Sequence, residues 1–544
     1  MAAAEFPFPV SQGDPEVRTA AGRVRGRWAE ADGTAGVAVF RGIPFARPPV
    51  GELRFLAPRR PLRWEGVLDA AAFGPVAPQA PPVSASRNGV PQRDGAKQRD
   101  GQPPGDDGNW LTLNVWTPDP SAAADRAGGG LPVLVWVHGG AYMFGGASEP
   151  GYDGATLARL GAVVVTCNYR LGVEGFAQIA GAPANRGLLD VVAALGWVAE
   201  NIAGFGGDPA AVTAFGESAG AGIVAALLAM PAAKGLFRRA IAQSVPGTFF
   251  APDLASDITK AIAIQAGIVA AGSLPIGRPP TREALATAAP YRLVAAQTAV
   301  TAALSEYGQW GPVALTVTPF SPVVDGEVLP RAPWRALLAG AARDIDLLVG
   351  HNKDEYRLFI EAGGKAGQIT DAQAAEVLRA FAPAPAGAEA YRRAYPGIDP
   401  ERLYEVVFSD WLFRMPSLHL AQAHAASGGR TFLYELTYPA PAAPEALGAC
   451  HGLDVPLVWG GKPGGLGLIM AGPEPPKEFT MLGDLMRAEW LAFAGHGEPG
   501  WPVYGTERRL ARIYSYPPAI DPYPEEASMH VWERHQFDAI GLAG

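Results

Sequence analysis

The chain of 544 residues predicts an α/β fold, with a large, mostly parallel central sheet flanked by helices. Three observations carry that expectation. Short apolar runs alternate with longer segments of helical spacing through the first half, as βα units do. Leu131–Val137 and residues 162–167 are valine-rich and nearly free of polar residues, as strands covered on both faces are. Residues 212–215 run straight into Gly216-Glu217-Ser218-Ala219-Gly220 and then into the apolar stretch 219–230, which reads as strand, sharp turn and helix.

The remaining elements follow in order. Residues 188–202 read as a helix, with Leu189, Val192, Leu195 and Val198 near helical spacing, and Pro231 stops the helix over 219–230. Residues 345–349 and Thr431–Leu436 are again strand-like, each followed by a loop with polar residues. Segment 81–108 differs. It repeats proline, glycine and charge, and offers too little apolar surface to offset the entropy of ordering it, so it is expected to be a mobile surface loop, functional or simply disordered. Residues 1–18 read as an extension and 19–544 as a single domain.

Composition narrows the class. Hydrophobic content of 48% with 18% charged residues supports a sizeable core and excludes global disorder. A net charge of −9, with scattered Lys and Arg, argues against a nucleic-acid partner, which needs a concentrated basic face. Two cysteines, Cys167 and Cys450, are too few for a disulfide framework and lack metal-ligand spacing; Cys167, in an apolar strand, reads as a buried, inert thiol. No metal or cofactor motif is present. The N-terminus has no basic segment leading into an apolar one, and no run approaches the ~18 apolar residues of a membrane span. A cytoplasmic location without a membrane span is the expectation.

Gly-x-Ser-x-Gly is weak evidence alone in a chain with 67 glycines, so context decides. A strand before it and a helix after it make it a nucleophile elbow, with Ser218 as the attacking oxygen in acyl transfer. Such a reaction also needs oxyanion donors, a base and an acid that orients the base. The donors are expected from the N–H of Ala219 and from a second glycine loop, His138-Gly139-Gly140-Ala141-Tyr142, after the strand Leu131–Val137. The base should be a late histidine. His451, in a loop beyond Thr431–Leu436, is favoured over His496, His530 and His535, while His419 and His424 fall in a helical pattern. For the acid, Asp354, Glu355 and Asp325 all follow strand ends, and the residues alone leave the three open.

The ordered motifs then resemble one family. Arg41-Gly42-Ile43-Pro44-Phe45-Ala46, Leu111-Thr112-Leu113-Asn114-Val115, Asn168-Tyr169-Arg170-Leu171-Gly172 and Phe205-Gly206-Gly207-Asp208-Pro209 lead to the Gly216–Gly220 elbow. This series is similar to that of the type-B carboxylesterases, which include cholinesterases and bacterial p-nitrobenzyl esterases, from about residue 20 to beyond 500. The resemblance implies the α/β-hydrolase fold and a triad of Ser218, Glu355 and His451. It also implies an oxyanion hole of Gly139, Gly140 and Ala219. The activity implied is hydrolysis of a small-molecule carboxylic ester through an acyl-enzyme, without a cofactor. A specialised ester such as a toxin polyester, a carbamate or an amide would suit the same triad, and some relatives use the fold for adhesion without catalysis. Two departures stand out. Ala77 and Trp110 occupy positions where the family often has a disulfide, whose loss forgoes about 3 kcal/mol of loop constraint. Ala141 replaces a third glycine in the oxyanion loop. Activity is expected to rise with pH as His451 loses its proton, with a midpoint near ~6.5 unless burial moves it.

Overall fold

The structure, a computed structural model, describes residues 13–29, 36–81, 108–120, 129–275, 277–383, 386–461 and 464–543. Its strands in chain order are β1 (Glu16–Arg18), β2 (Arg23–Arg25), β3 (Arg27–Ala29), β4 (Val37–Pro44), β5 (Val67–Asp69), β6 (Thr112–Thr117) and β7 (Leu131–Val137). There follow β8 (Val163–Cys167), β9 (Gly207–Glu217), β10 (Arg239–Gln243), β11 (Asp346–Asn352), β12 (Thr431–Leu436), β13 (Leu510–Tyr514) and β14 (Ala519–Pro522). β1, β2 and β5 form a small sheet, and the other eleven form one large sheet in the order β14-β13-β12-β11-β10-β9-β7-β8-β6-β4-β3. Every pairing from β13 through to β8 is parallel, and antiparallel strands close both edges. The expected mostly parallel sheet is what the chain builds.

Burial explains the strands. Val133, Val135 and Val137 of β7 enter one hydrophobic cluster, while Leu134 and Trp136 enter a second on the opposite face. With both faces covered by helices, no polar alternation survives in the sequence. β9 begins five residues before the apolar run that announces it, because Asp208, Pro209, Ala210 and Ala211 lie outside the helical cover and read as a loop. β11 runs three residues past its apolar stretch, through Gly350, His351 and Asn352, which are buried despite two polar side chains.

The helix Arg186–Asn201 lies two residues earlier at its start than the pattern suggests. With the turn that follows, Arg186–Phe205 is apolar and long enough to cross a bilayer, contrary to the expectation that no segment comes close. More than half of its apolar window is buried in the protein, where it packs against β9 and the helix Ala219–Ala229, so its apolarity belongs to the core. On its buried side Asp190 meets Arg170: two 2.8 Å hydrogen bonds from Nε and Nη2 span both carboxylate oxygens, and neither side chain is exposed.

Cys167 and Cys450 are both buried free thiols, and burial pushes each up to about 12, which leaves them inert. Ala77 and Trp110 are buried as well. Of segment 81–108, all but its two end residues lie outside the described residues, as do residues 1–12 of the expected N-terminal extension. Glu16–Arg18 of that extension pairs antiparallel with β2.

Removing one partner of a fully buried ion pair strands the other charge away from water. Asp190→Ala is therefore expected to destabilise the fold by about 3–5 kcal/mol, read as a lower denaturant midpoint. A loss under about 1 kcal/mol would mean that solvent reaches the Arg170 guanidinium.

Candidate active site

Four loops carrying the expected residues leave the same edge of the sheet. Ser218 follows β9, His138 follows β7, Glu355 lies just beyond β11, and His451 lies in the connection after β12. All four strands are parallel, so their carboxyl ends meet at the edge where open α/β sheets form a crevice.

The turn at Ser218 is held open by strain and close packing. Ser218 has φ +57° and ψ −125°, a conformation that costs an L residue on the order of 1–3 kcal/mol. Its N–H donates to the Gln243 carbonyl at 2.9 Å, and its own carbonyl accepts from Gly222 N–H at 2.9 Å. The helix Ala219–Ala229 then passes directly across the end of β7. A Cβ on Gly220 would sit 2.0 Å from the Val137 carbonyl oxygen, and one on Gly216 would sit 2.7 Å from both that oxygen and Gly220. Only glycine fits at either place. Ala219 is the first helical residue, so its N–H has no intrahelical partner.

The glycine loop lies alongside. A Cβ on Gly139 would be 3.2 Å from Ser218 Cβ, which fixes how near the two backbones come. The loop is pinned at several points. Tyr169 Oη donates to the His138 carbonyl (2.8 Å), Thr318 Oγ1 to the Ala141 carbonyl (2.9 Å), and Gly172 N–H to the Tyr142 carbonyl (2.7 Å). Gln79 exchanges two 2.9 Å hydrogen bonds with the Gly145 backbone. The N–H groups of Gly139 and Gly140 reach no acceptor among the described residues. Ala141, in place of a third glycine, keeps a left-handed backbone at φ +51°. Tyr142 is buried against Phe176, with ring centroids 4.9 Å apart, while Phe144 is half exposed.

Glu355 and His451 are joined. Glu355 Oε2 accepts from His451 Nδ1 at 2.6 Å, while Oε1 accepts from Ser244 Oγ at 2.6 Å and from Asn352 N–H at 2.8 Å. The bond to Nδ1 leaves Nε2 as the outward nitrogen of a neutral imidazole. Phe413 stacks on the ring at 4.1 Å and Phe359 packs at 5.3 Å. Phe413 sits in a one-turn π-helix, Asp410–Arg414, a local irregularity that often marks functional positions.

The structure departs from expectation at Nε2. No hydrogen bond joins Ser218 Oγ to His451; Nε2 lies instead 3.1 Å from Glu217 Oε1, an ion-pair distance without hydrogen-bond geometry. Sequence adjacency is the reason. Glu217 ends β9 immediately before Ser218, and its carboxylate reaches the Nε2 side of the imidazole. Burial pulls the His451 pKa down, but Glu217 and Glu355 outweigh it and lift it to about 9. Burial likewise raises Glu217 to about 8 against the pull of His451. Each shift leans on the other, since a proton on Glu217 removes one of the charges that hold the proton on His451. The expected titration near 6.5 is thus corrected upward.

The other candidates sit elsewhere. Asp325 Oδ1 accepts the Glu327 and Leu329 N–H groups in a local turn. Asp354 points to Ala449 and Arg402. His496 ends the helix Lys477–His496, His530 lies in the helix Glu526–Trp532, and His535 packs on Trp532 and Phe537. His419 and His424 are in the helix Met415–Ala426, where His424 Nδ1 pairs with Thr431 Oγ1. Sequence reasoning missed Gln243 and Ser244, which link the elbow to Glu355 from the end of β10. A glutamine and a serine after an apolar strand carry no pattern that singles them out.

A model of the carboxylesterase family matches residues 13–515. The chain belongs to that family. It is a serine carboxylic ester hydrolase. Para-nitrobenzyl esterase of Bacillus subtilis (strain 168) is 35% identical over 525 residues, covering 94% of this chain and 96% of its own. Human carboxylesterase 3 is 34% identical over 556 residues, covering 95% and 90%. Among solved structures, a Geobacillus stearothermophilus carboxylesterase matches with a TM-score of 0.75 at 34% identity, over 95% of this chain and 99% of that one.

Because a methyl group on Gly220 would meet backbone rather than a flexible side chain, Gly220→Ala in this carboxylesterase is expected to lower both melting temperature and turnover, the latter by about a hundredfold. Parent-like kcat and melting temperature together would show that the turn can yield.

Proposed function

We propose that Ser218, His451 and Glu355 form the catalytic triad of this esterase and that the N–H groups of Gly139, Gly140 and Ala219 form its oxyanion hole. The observation that carries this reading is the 2.6 Å bond from His451 Nδ1 to a buried Glu355, taken together with the φ of +57° at Ser218. His451 Nε2 takes the Ser218 proton as Oγ attacks the ester carbonyl, then returns it to the leaving alcohol. Glu355 orients the ring and stabilises its protonated form. The three N–H groups receive the oxyanion, each such donor typically contributing about 3–4 kcal/mol. Water then attacks the acyl-enzyme by the same route and releases the acid. Nε2 must leave Glu217 for Ser218 before attack, and hydrogen bonds of this kind often tighten only when substrate binds.

The Phe359 and Phe413 rings beside the imidazole favour small carboxylic esters with an apolar acyl or alcohol group. We further propose that residues 19–544 act as one catalytic domain, in the cytoplasm; two buried free thiols are in keeping with a reducing compartment.

Ser218→Ala is expected to abolish turnover of a p-nitrophenyl ester and labelling by a serine-directed phosphonate; full turnover would refute the assignment. The working base must be neutral, so a raised His451 pKa places the rising limb of kcat/KM against pH above 6.5. Removing a negative charge beside the imidazole weakens its hold on the proton. Glu217→Gln should therefore move that limb to lower pH by about one unit or more, with an unmoved limb counting against the charge contact.

A further inference from the structure

The loop that carries Glu355 is gripped on both sides by one helix outside the sheet, Pro400–Ser409. On one side stands Asp354. Its Oδ2 accepts from Ala449 N–H at 3.0 Å and its Oδ1 accepts from Arg402 Nη1 at 2.8 Å, while its own N–H donates to the Ala449 carbonyl at 2.9 Å. On the other side, Tyr356 N–H donates to Ser409 Oγ at 3.0 Å, and Ser409 Oγ donates to Glu405 Oε1 at 2.6 Å. Glu405 Oε2 then accepts from the same Arg402 Nη1. The contacts close a ring that starts and ends on Arg402 and passes through both neighbours of Glu355.

The ring also reaches the histidine. Ala449 is two residues before His451, whose N–H donates to the Glu355 carbonyl at 3.3 Å, and Asn352 Nδ2 donates to the Cys450 carbonyl at 2.8 Å. Arg402 is itself fixed. It lies in the first turn of its helix, where Asp399 Oδ1 accepts its N–H at 2.9 Å behind Pro400. Asp354, Glu405 and Ser409 are buried, and Arg402 is the cation within the ring that touches both carboxylates; Arg357 approaches Asp354 at 3.7 Å from the surface side. Burial pushes Glu405 up to about 7, with Arg402 the chief group opposing it.

We infer that Arg402 is a positioning residue for ester hydrolysis: by holding Asp354 directly and Tyr356 through Glu405 and Ser409, it fixes the backbone on both sides of Glu355 and thereby the Glu355–His451 hydrogen bond. The inference rests on the triad proposed above. Its physical basis is leverage. A short carboxylate–imidazole bond is sensitive to small displacements, and a misplacement of about 1 Å can cost about a hundredfold in rate.

The test compares Arg402→Met, which keeps the aliphatic stem and removes every donor, with Arg402→Lys, which restores charge and a donor. Ser218→Ala is run beside them. With active sites counted by phosphonate titration, Arg402→Met is expected to lower kcat about tenfold or more while KM changes little. The rising limb of kcat/KM should also move to lower pH, because an imidazole less well held by Glu355 loses its proton sooner; the acids that act on that ring, Glu217, Glu355 and Asp454, are all still present in the variant. Arg402→Lys should recover most of kcat and the parent pH profile. A fall in melting temperature alone, with kcat per titrated site and the pH profile unchanged, overturns the inference. Should Arg402→Met not fold, Asp354→Asn probes the same link, since it keeps an acceptor for Ala449 N–H and drops the charge that Arg402 holds. The same loss of kcat and shift of the limb then support the inference, and parent values overturn it. If Ser218→Ala retains turnover, the triad reading fails instead; if Ser218→Ala is dead and Arg402→Met matches the parent, only the role of Arg402 fails.

Discussion

The passage of the helix Ala219–Ala229 over the end of β7 is the constraint on which the rest of the site depends. Gly216, Gly220 and the Val137 carbonyl meet at distances that admit no side chain, and this contact turns the chain sharply enough to drive Ser218 to positive φ. The strain is local, but what balances it is not. β7, β9 and β10 are adjacent parallel strands buried on both faces, so their ends cannot shift independently to relieve the turn. The same close approach brings Gly139 against Ser218, so one packing event arranges the serine beside the glycine loop.

β10 has a part that its sequence does not advertise. It stands between β9, which runs into Ser218, and β11, which leads to Glu355. Its last residue and the one after it touch both: the Gln243 carbonyl accepts from Ser218 N–H, and Ser244 Oγ donates to Glu355. Gln243 also donates to the buried Asp454 at 2.8 Å, which accepts from Tyr434 Oη at 2.7 Å. The spacing of parallel strands thus sets how far Glu355 stands from Ser218, and His451 reaches Glu355 from the neighbouring β12 connection.

The imidazole is held between two carboxylates with different tasks. Glu355 is tied down by three hydrogen bonds and makes a directed contact with Nδ1. Glu217 has no such bonds to Nε2 and acts by charge and position. A buried histidine facing two acids keeps its proton to higher pH than a free one, so the site gives up some free base near neutrality. Under the proposed mechanism, the imidazolium that would form during attack is stabilised by the same two charges.

Much of this was legible in the sequence because it depends on local sterics and burial. The elbow glycines, the second glycine loop and the valine runs of β7 and β8 each report a requirement met within a few residues: a turn that admits no Cβ, or a strand covered on both faces. Even His451 could be placed by its position in the chain. Residue type and spacing alone could not separate Asp354 from Glu355, two adjacent acids after the same strand; only the family resemblance pointed to Glu355. Tertiary packing separates them, sending one to Ala449 and Arg402 and the other to the imidazole. Nor could the sequence announce that the Glu217 carboxylate would stand 3.1 Å from Nε2, that Ser244 would brace Glu355, or that the apolar stretch 186–205 was core. Those facts arise from residues far apart in the chain meeting at the end of one sheet, and contacts between distant segments leave no period or spacing in the order of residues.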